Sequence, residues 1–344
     1  MQLRLLGGLA PRTFLVRHWQ KRPLFVRNAL ARVPDMIDER ALCALAMRDD
    51  VESRIVERRG GRWETAHGPF ANVSVKRRNW TILVSGLNLH LRAADALLRP
   101  FRFIPQARLD DVMASFATPG GGVGPHVDSY DVFLLQGPGR RRWRVAGVDY
   151  LAGPGDLLYV PPGLRHDGVA LERCFTYSIG FRAPRGAELG AAFLDWLHER
   201  GLPDSTYRDP WLAPSRSPGA LPPDMITFAE KAFARISWSR ADVATFLGEY
   251  LTMPKAHVVF RPGRARARRL VRSMVRLDPK SQLLYHGARF FMNGETMALP
   301  ARAASALRRL ADRRAAAGAS LAAGPLPALL SSWRRAGWIH LDKL

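Results

Sequence analysis

Hydrophobic and polar positions follow three successive textures along the chain. Over residues 11–30 the spacing predicts a short helix and then a strand, with Pro23 between them and Leu24, Phe25 and Val26 opening the strand. A helix is predicted over 37–48, where Asp38 and Glu39 suit its positive N-terminal end. Residues 51–57 and 62–66 read as a hairpin about Gly60-Gly61, 80–84 as a buried strand, and 91–98 as a helix stopping before Pro100. Between 111 and 182 the period shortens to two. Strands 112–118, 131–136, 141–145, 156–160 and 173–181 follow one another through Gly/Pro turns, which predicts an antiparallel sandwich or barrel. After Pro184 the pattern turns helical, over 189–200 and, past a proline-rich connection at 202–223, over 225–235 and 240–251. The last stretch mixes strands 282–285 and 289–292, a third after Asn293-Gly294, helices 301–317 and 327–336, and a strand at 338–341. That mixture fits a winged-helix arrangement.

A length of 344 residues suits two or three domains, and 47% hydrophobic with 24% charged residues is a globular composition. The two cysteines, Cys43 and Cys174, form neither a disulfide framework nor a zinc spacing, so a reducing, cytoplasmic setting is expected. No apolar run is long enough to span a bilayer, and neither an export signal nor a membrane partner is expected. The net charge of +22 comes from 52 basic against 30 acidic residues and is denser after residue 200. Such a surface attracts polyanions. Yet 46 of the basic residues are arginines, which, with the many alanines, is also the signature of a GC-rich genome. Nucleic-acid contact is therefore allowed but not required. Its best feature is the basic run from Arg261 to Arg272, which lacks interleaved aromatic residues.

The stretch with chemistry in it is Gly120-Gly-Gly-Val-Gly-Pro-His126-Val-Asp128, followed by Gly155-Asp-Leu-Leu-Tyr-Val-Pro161-Pro-Gly163-Leu-Arg-His166. Residues two apart on a strand share a face, so His126 and Asp128 can both project into a barrel. His166, after a tight Pro-Pro-Gly turn, is placed to complete the set. Two histidines and one carboxylate on one face of an octahedron leave positions open, as in non-haem Fe(II) oxygenases. The glycine, proline and histidine spacings are those of the two cupin-barrel motifs, with Asp128 where many metal-binding cupins carry a second histidine. The other seven histidines have no comparable setting.

Alternation along residues 140–145 puts Arg141, Trp143 and Val145 on one face and Arg140, Arg142 and Arg144 on the other. The face with Trp143 and Val145 is the inward one. An inward guanidinium needs an anion, which a dicarboxylate cosubstrate would supply through a bidentate pair. By the same rule Ser115 shares a face with Met113 and Ala117 and can donate to a carboxylate.

Asp110-Asp-Val-Met-Ala-Ser115-Phe, the segment from Pro119 through His126 to Phe133, and Gln136-Gly-Pro-Gly-Arg-Arg-Arg-Trp143 together resemble the bacterial ribosomal oxygenases, cupin-fold enzymes of the JmjC type. His18-Trp-Gln-Lys-Arg-Pro23-Leu and Tyr177-Ser-Ile-Gly-Phe-Arg-Ala-Pro184 are similar too, with the strongest likeness over residues 100–184. The resemblance implies an α+β chain: a double-stranded β-helix oxygenase domain over 1–185, a helical dimerisation region over 186–252 and a winged-helix domain over 256–344. It implies an Fe(II)- and 2-oxoglutarate-dependent, oxygen-consuming hydroxylase acting on an arginine of large-subunit ribosomal protein sixteen, working as a homodimer. His126, Asp128 and His166 match the iron ligands, and Arg141 and Ser115 the positions that hold 2-oxoglutarate. The chain departs from the family at the short connection 146–154, where a longer insertion is expected, and at Ala170, where the second cupin motif often has asparagine. Two other readings use the same residues: an oxygenase of another protein or small molecule, and a cupin sensor fused to a nucleic-acid-binding winged helix.

Overall fold

Alternation alone does not close a barrel; strand pairing does. The computed structural model describes residues 2–33, 36–262 and 270–343. Its first part carries the strands β1 (Leu24–Val26), β2 (Ser53–Arg59), β3 (Arg62–His67), β4 (Trp80–Val84), β5 (Leu109–Ala117) and β6 (His126–Val127). They are followed by β7 (Asp131–Gln136), β8 (Arg141–Val145), β9 (Val148–Ala152), β10 (Leu157–Val160), β11 (Arg165–Ala170) and β12 (Cys174–Phe181). The large sheet is ordered β1-β10-β7-β12-β5-β4-β2-β3 and the small one β6-β11-β8-β9. Every pairing is antiparallel. One cavity is lined from both sheets, which is the barrel interior.

β7 is buried at every position because it is covered on both faces. Phe133 and Leu135 join the core outside the sheet, while Val132 and Leu134 pack inward with Trp143 and Val145. The outer core is built on the N-terminal helices α1 (Gln2–Leu5), α2 (Pro11–Arg17) and α3 (Glu39–Ala46), then α4 (Leu87–His90) and α5 (Arg92–Leu97). Asp38 caps α3, its side chain accepting from the Ala41 amide as an aspartate at that position should. Phe14 lies edge-on to Tyr159 and tilted against Phe133, binding α2 to the barrel. Beneath this cluster, Asp131 is fully buried and accepts from Tyr159 Oη at 2.6 Å, Gln20 Nε2 at 2.9 Å and Arg108 Nη2 at 3.0 Å. A buried carboxylate so fully used joins the N-terminal segment to β7 and β10 at no cost in unpaired charge.

Beyond the barrel run α6 (Gly186–Glu199), an extended stretch over 200–222 without helix or strand, α7 (Pro223–Phe233) and α8 (Arg240–Thr252). The last part has β13 (Ser273–Leu277), β14 (Leu283–His286), β15 (Arg289–Met292), β16 (Glu295–Ala298), α9 (Ala301–Arg313), β17 (Ala315–Ala317), α10 (Leu326–Arg335) and β18 (Ile339–Lys343). Sheet β17-β13-β18 and the meander β14-β15-β16 enclose a second core around Leu307, Leu310, Phe290 and Trp333. Among the described residues no helix is long and apolar enough to cross a membrane. Of the basic run from Arg261 to Arg272, residues 263–269 lie outside the described residues.

Three details differ from the sequence expectation. The connection 146–154 contains strand β9, turned back on β8 through Ala146 and Gly147, both at positive φ (47° and 86°). β9 is mostly exposed, so it leaves no hydrophobic alternation to read. The helix expected over 301–317 stops at Arg313, because Arg314 adopts φ 58° and its guanidinium donates to the carbonyls of Ser281 (3.0 Å) and Asp278 (2.9 Å). Residues 315–317 then pair with β13, a strand the pattern did not predict.

Candidate metal centre and cosubstrate pocket

Strand register delivers the ligand set. β6 and β11 pair so that His126 stands directly opposite His166. The Gly163 amide of the Pro161-Pro162-Gly163 turn donates to the Asp128 carbonyl at 2.9 Å, tying the two motifs together. As a result the ligand atoms of His126, Asp128 and His166 all lie within 4.8 Å of one another. His126 Nε2 is 3.8 Å from Asp128 Oδ1, and His166 Nε2 is 3.6 Å from Asp128 Oδ2.

Each imidazole is fixed from behind. His126 Nδ1 meets the Gly124 carbonyl at 2.9 Å and His166 Nδ1 meets the Leu164 carbonyl at 3.0 Å. A carbonyl only accepts, so both Nδ1 atoms carry the proton and both Nε2 lone pairs face the carboxylate. Burial, with the neighbouring His126, pushes the His166 pKa down and keeps that ring neutral. Neutral imidazoles with one carboxylate are the donors a divalent first-row metal takes, and the residues fit such an ion.

Arg141 is 4% exposed, and its Nε and Nη2 have no hydrogen-bond partner among the described residues. The burial along β8 alternates as expected, with Arg141, Trp143 and Val145 inward. An orphaned guanidinium facing the same cavity as the ligand set fits an anionic cosubstrate. Ser115, also buried, lines that cavity; its hydroxyl makes only a long contact of 3.4 Å to the Thr176 carbonyl. All five residues singled out in the sequence therefore share one cavity of about 330 Å³.

Sequence reasoning did not find a second charged group in the lining of this cavity, which includes Glu52, Asp110, Asp111 and Lys255. Burial and the adjacent Asp110 carboxylate push the Asp111 pKa up to about 6, although the Gly86 amide donates to it at 2.6 Å. Lys255 arrives from the connection after α8 and sits 3.5 Å from Asp110. Burial opposes its charge, but Asp110 and Asp111 outweigh it and hold its pKa above the ordinary lysine value. Asp110 and Asp111 are visible as a pair in the sequence, whereas nothing local connects residue 255 to them.

The JmjC domain family matches residues 96–152 and 147–189, and the ROXA-like winged-helix family matches residues 235–339. The chain is 39% identical over 273 residues to the ribosomal protein uL16 3-hydroxylase of Escherichia coli, covering 72% of this chain and 73% of that protein. It is 34% identical over 208 residues to a probable ribosomal oxygenase of Haemophilus influenzae, covering 53% and 52% respectively. The structure of YcfD, a ribosomal oxygenase from Escherichia coli, superposes with a TM-score of 0.82 at 33% identity, over 97% of this chain and 98% of that one. The same protein has been solved with cobalt and 2-oxoglutarate and with cobalt and succinic acid. With barrel, ligand triad and winged helix in the same order, the chain belongs to the JmjC-type ribosomal oxygenase family.

Proposed function

We propose that this protein is an Fe(II)- and 2-oxoglutarate-dependent hydroxylase of an arginine in a large-subunit ribosomal protein, the counterpart of uL16. The observation that carries this reading is that two imidazoles and one carboxylate share a cavity with a buried guanidinium whose Nε and Nη2 have no hydrogen-bond partner among the described residues. In it, His126, Asp128 and His166 hold the metal and Arg141, with Ser115, holds the distal carboxylate of 2-oxoglutarate. When bound, Fe(II) supplies the redox chemistry that joins decarboxylation of 2-oxoglutarate by O₂, giving succinate and CO₂, to insertion of one oxygen atom into a substrate C–H bond.

The protein's own part is positional. The Gly124 and Leu164 carbonyls hold the two Nδ1 protons, so the Nε2 atoms stay aimed at one point. Asp128 contributes a negative charge that offsets a divalent cation. Met113, Val132, Leu134 and Trp143 give the chamber its apolar lining. In the cavity lining, the Asp111 carboxylate suits a cationic side chain, which agrees with an arginine substrate more than with an acidic or apolar one.

The domain limits 1–185, 186–252 and 256–344 belong to this proposal, as does a homodimer. Ile226 and Phe233, seven residues apart on one face of α7, are 48% and 69% exposed, an apolar pair that suits a second copy. A cytoplasmic location follows from the ribosomal substrate, and nucleic-acid binding is not needed for it. The test is mass spectrometry of ribosomal proteins after incubation with enzyme, Fe(II), O₂ and 2-oxoglutarate. A gain of about 16 Da, one oxygen atom, on an arginine-containing peptide is expected. Succinate release without any modified ribosomal peptide would move the substrate to another protein or a small molecule.

A further inference from the structure

β3 is the last strand of the large sheet, paired only to β2, and five of its six residues are exposed. The exception is Trp63. Its indole lies along the glycine-rich segment that precedes His126: a Cβ on Gly124 would sit 2.6 Å from Trp63 Cδ1 and 2.8 Å from Nε1, and one on Gly122 3.4 Å from Cη2. The ring thus spans both glycines. At 124 only a residue without a side chain allows this approach, and Gly124 is also at φ +81°, whereas the contact at Gly122 is an ordinary one. On the other side of the segment, a Cβ on Gly122 would collide with the Gly168 carbonyl of β11, and one on Gly168 would lie 2.5 Å from the Trp143 ring. Close contacts thus run from Trp63 to the glycine segment, from the segment to Gly168 and from Gly168 to Trp143. The segment is also tied to β11 by the Gly120 amide to the Ala170 carbonyl (2.8 Å) and the Ala170 amide to the Gly121 carbonyl (2.9 Å). Gly124, the residue held flat by Trp63, is the one whose carbonyl accepts from His126 Nδ1.

We infer that Trp63 is a positioning residue for the metal centre: from an otherwise exposed edge strand it packs on the Gly122–Gly124 segment that is bonded to β11 and so fixes the carbonyl that orients His126. The inference rests on the metal-binding reading of His126, Asp128 and His166. It explains why β3 carries one large side chain inward and why the segment needs glycine at 124. Without the indole, the Gly124 carbonyl loses its backing, and the His126 ring gains freedom to turn its Nε2 away from Asp128.

The test is Co(II) binding to the full-length protein, followed by its visible absorption and by titration, with thermal melting measured on the metal-free forms. Trp63→Ala is expected to weaken Co(II) binding about tenfold or more, the range for groups that orient a ligand from behind. Trp63→Phe, which keeps a flat ring over the segment, is expected to recover most of the affinity and the wild-type spectrum. If Trp63→Ala does not fold, Trp63→Leu takes its place, because it fills space without a flat face. A folded Ala or Leu variant with wild-type Co(II) affinity and spectrum overturns the inference, even if its melting temperature drops. Failure of the wild type itself to bind Co(II) instead removes the metal-site reading on which the inference stands.

Discussion

The guanidinium carbon of Arg141 lies 5.5 Å from the ring centroid of Trp143, two residues along the same strand, and that aromatic face is the main compensation its buried charge receives. A cation–π contact offsets only part of the cost of burying an unpaired cation. Arg141→Met, similar in length and uncharged, should therefore raise the stability of the ligand-free protein by about 1 kcal/mol or more. The same change should abolish the rise in melting temperature on adding 2-oxoglutarate, while leaving Co(II) affinity within about twofold of wild type. Calorimetry of the two proteins with and without cosubstrate checks both halves. A less stable Met variant would mean that the arginine is structural.

Asp128→Asn keeps shape but removes the charge between two neutral imidazoles. Metal affinity should fall by about 100-fold, beyond the effect of any change behind the ligands. Adding a chelator should lower the melting temperature of the metal-loaded wild type and leave this variant unmoved. Differential scanning fluorimetry resolves the two cases. Equal shifts would place the ion elsewhere.

Asp111 gives a pH dependence with a definite sign. Its pKa, near 3.8 in an unfolded chain, is raised to about 6 in the folded one by burial and by Asp110. Between those values the folded protein binds more protons than the unfolded, so stability declines as pH rises through about 4 to 6. Asp111→Asn should flatten that decline, leaving the variant more stable than wild type at pH 7 by about 3 kcal/mol. Urea unfolding at several pH values measures it. For turnover the direction reverses: the carboxylate attracts a cationic substrate only above about pH 6, so KM should climb on acidification in wild type and lose this dependence in the variant.

For the helical region, Ile226→Asp with Phe233→Asp should convert a dimer to a monomer in sedimentation velocity, with the barrel's circular dichroism unchanged. Both positions are exposed on α7, so charge there costs the single chain little. A dimer that survives the double change must use another face.

What could be read from the sequence was what lies close together along it. His126, Asp128 and His166 were legible because the glycine and proline spacings fix a strand, a turn and a second strand. Arg141 was legible because period-two alternation with Trp143 and Val145 decides which face is buried. Ser115 followed from the same rule. What tertiary packing assembles was not legible. Lys255 reaches Asp110 across a separation of 145 positions in the chain, and Trp63 reaches Gly124 from an edge strand whose pattern is almost wholly exposed. β9 was missed for the same reason that its strand is exposed, and the helix at 301–317 was overrun because Arg314, rather than a glycine, takes the left-handed turn.

His126, His166 and Arg141 stand on β6, β11 and β8 of the small sheet, and Asp128 follows β6 directly. The spacing between the His126, Asp128 and His166 cluster and the Arg141 guanidinium is thus set within one sheet, while Asp111 and Ser115 hang from β5 on the opposite wall. A change that shifts β5 against this sheet therefore moves Ser115 relative to Arg141 but leaves the distance from Arg141 to His126 and His166 as it is.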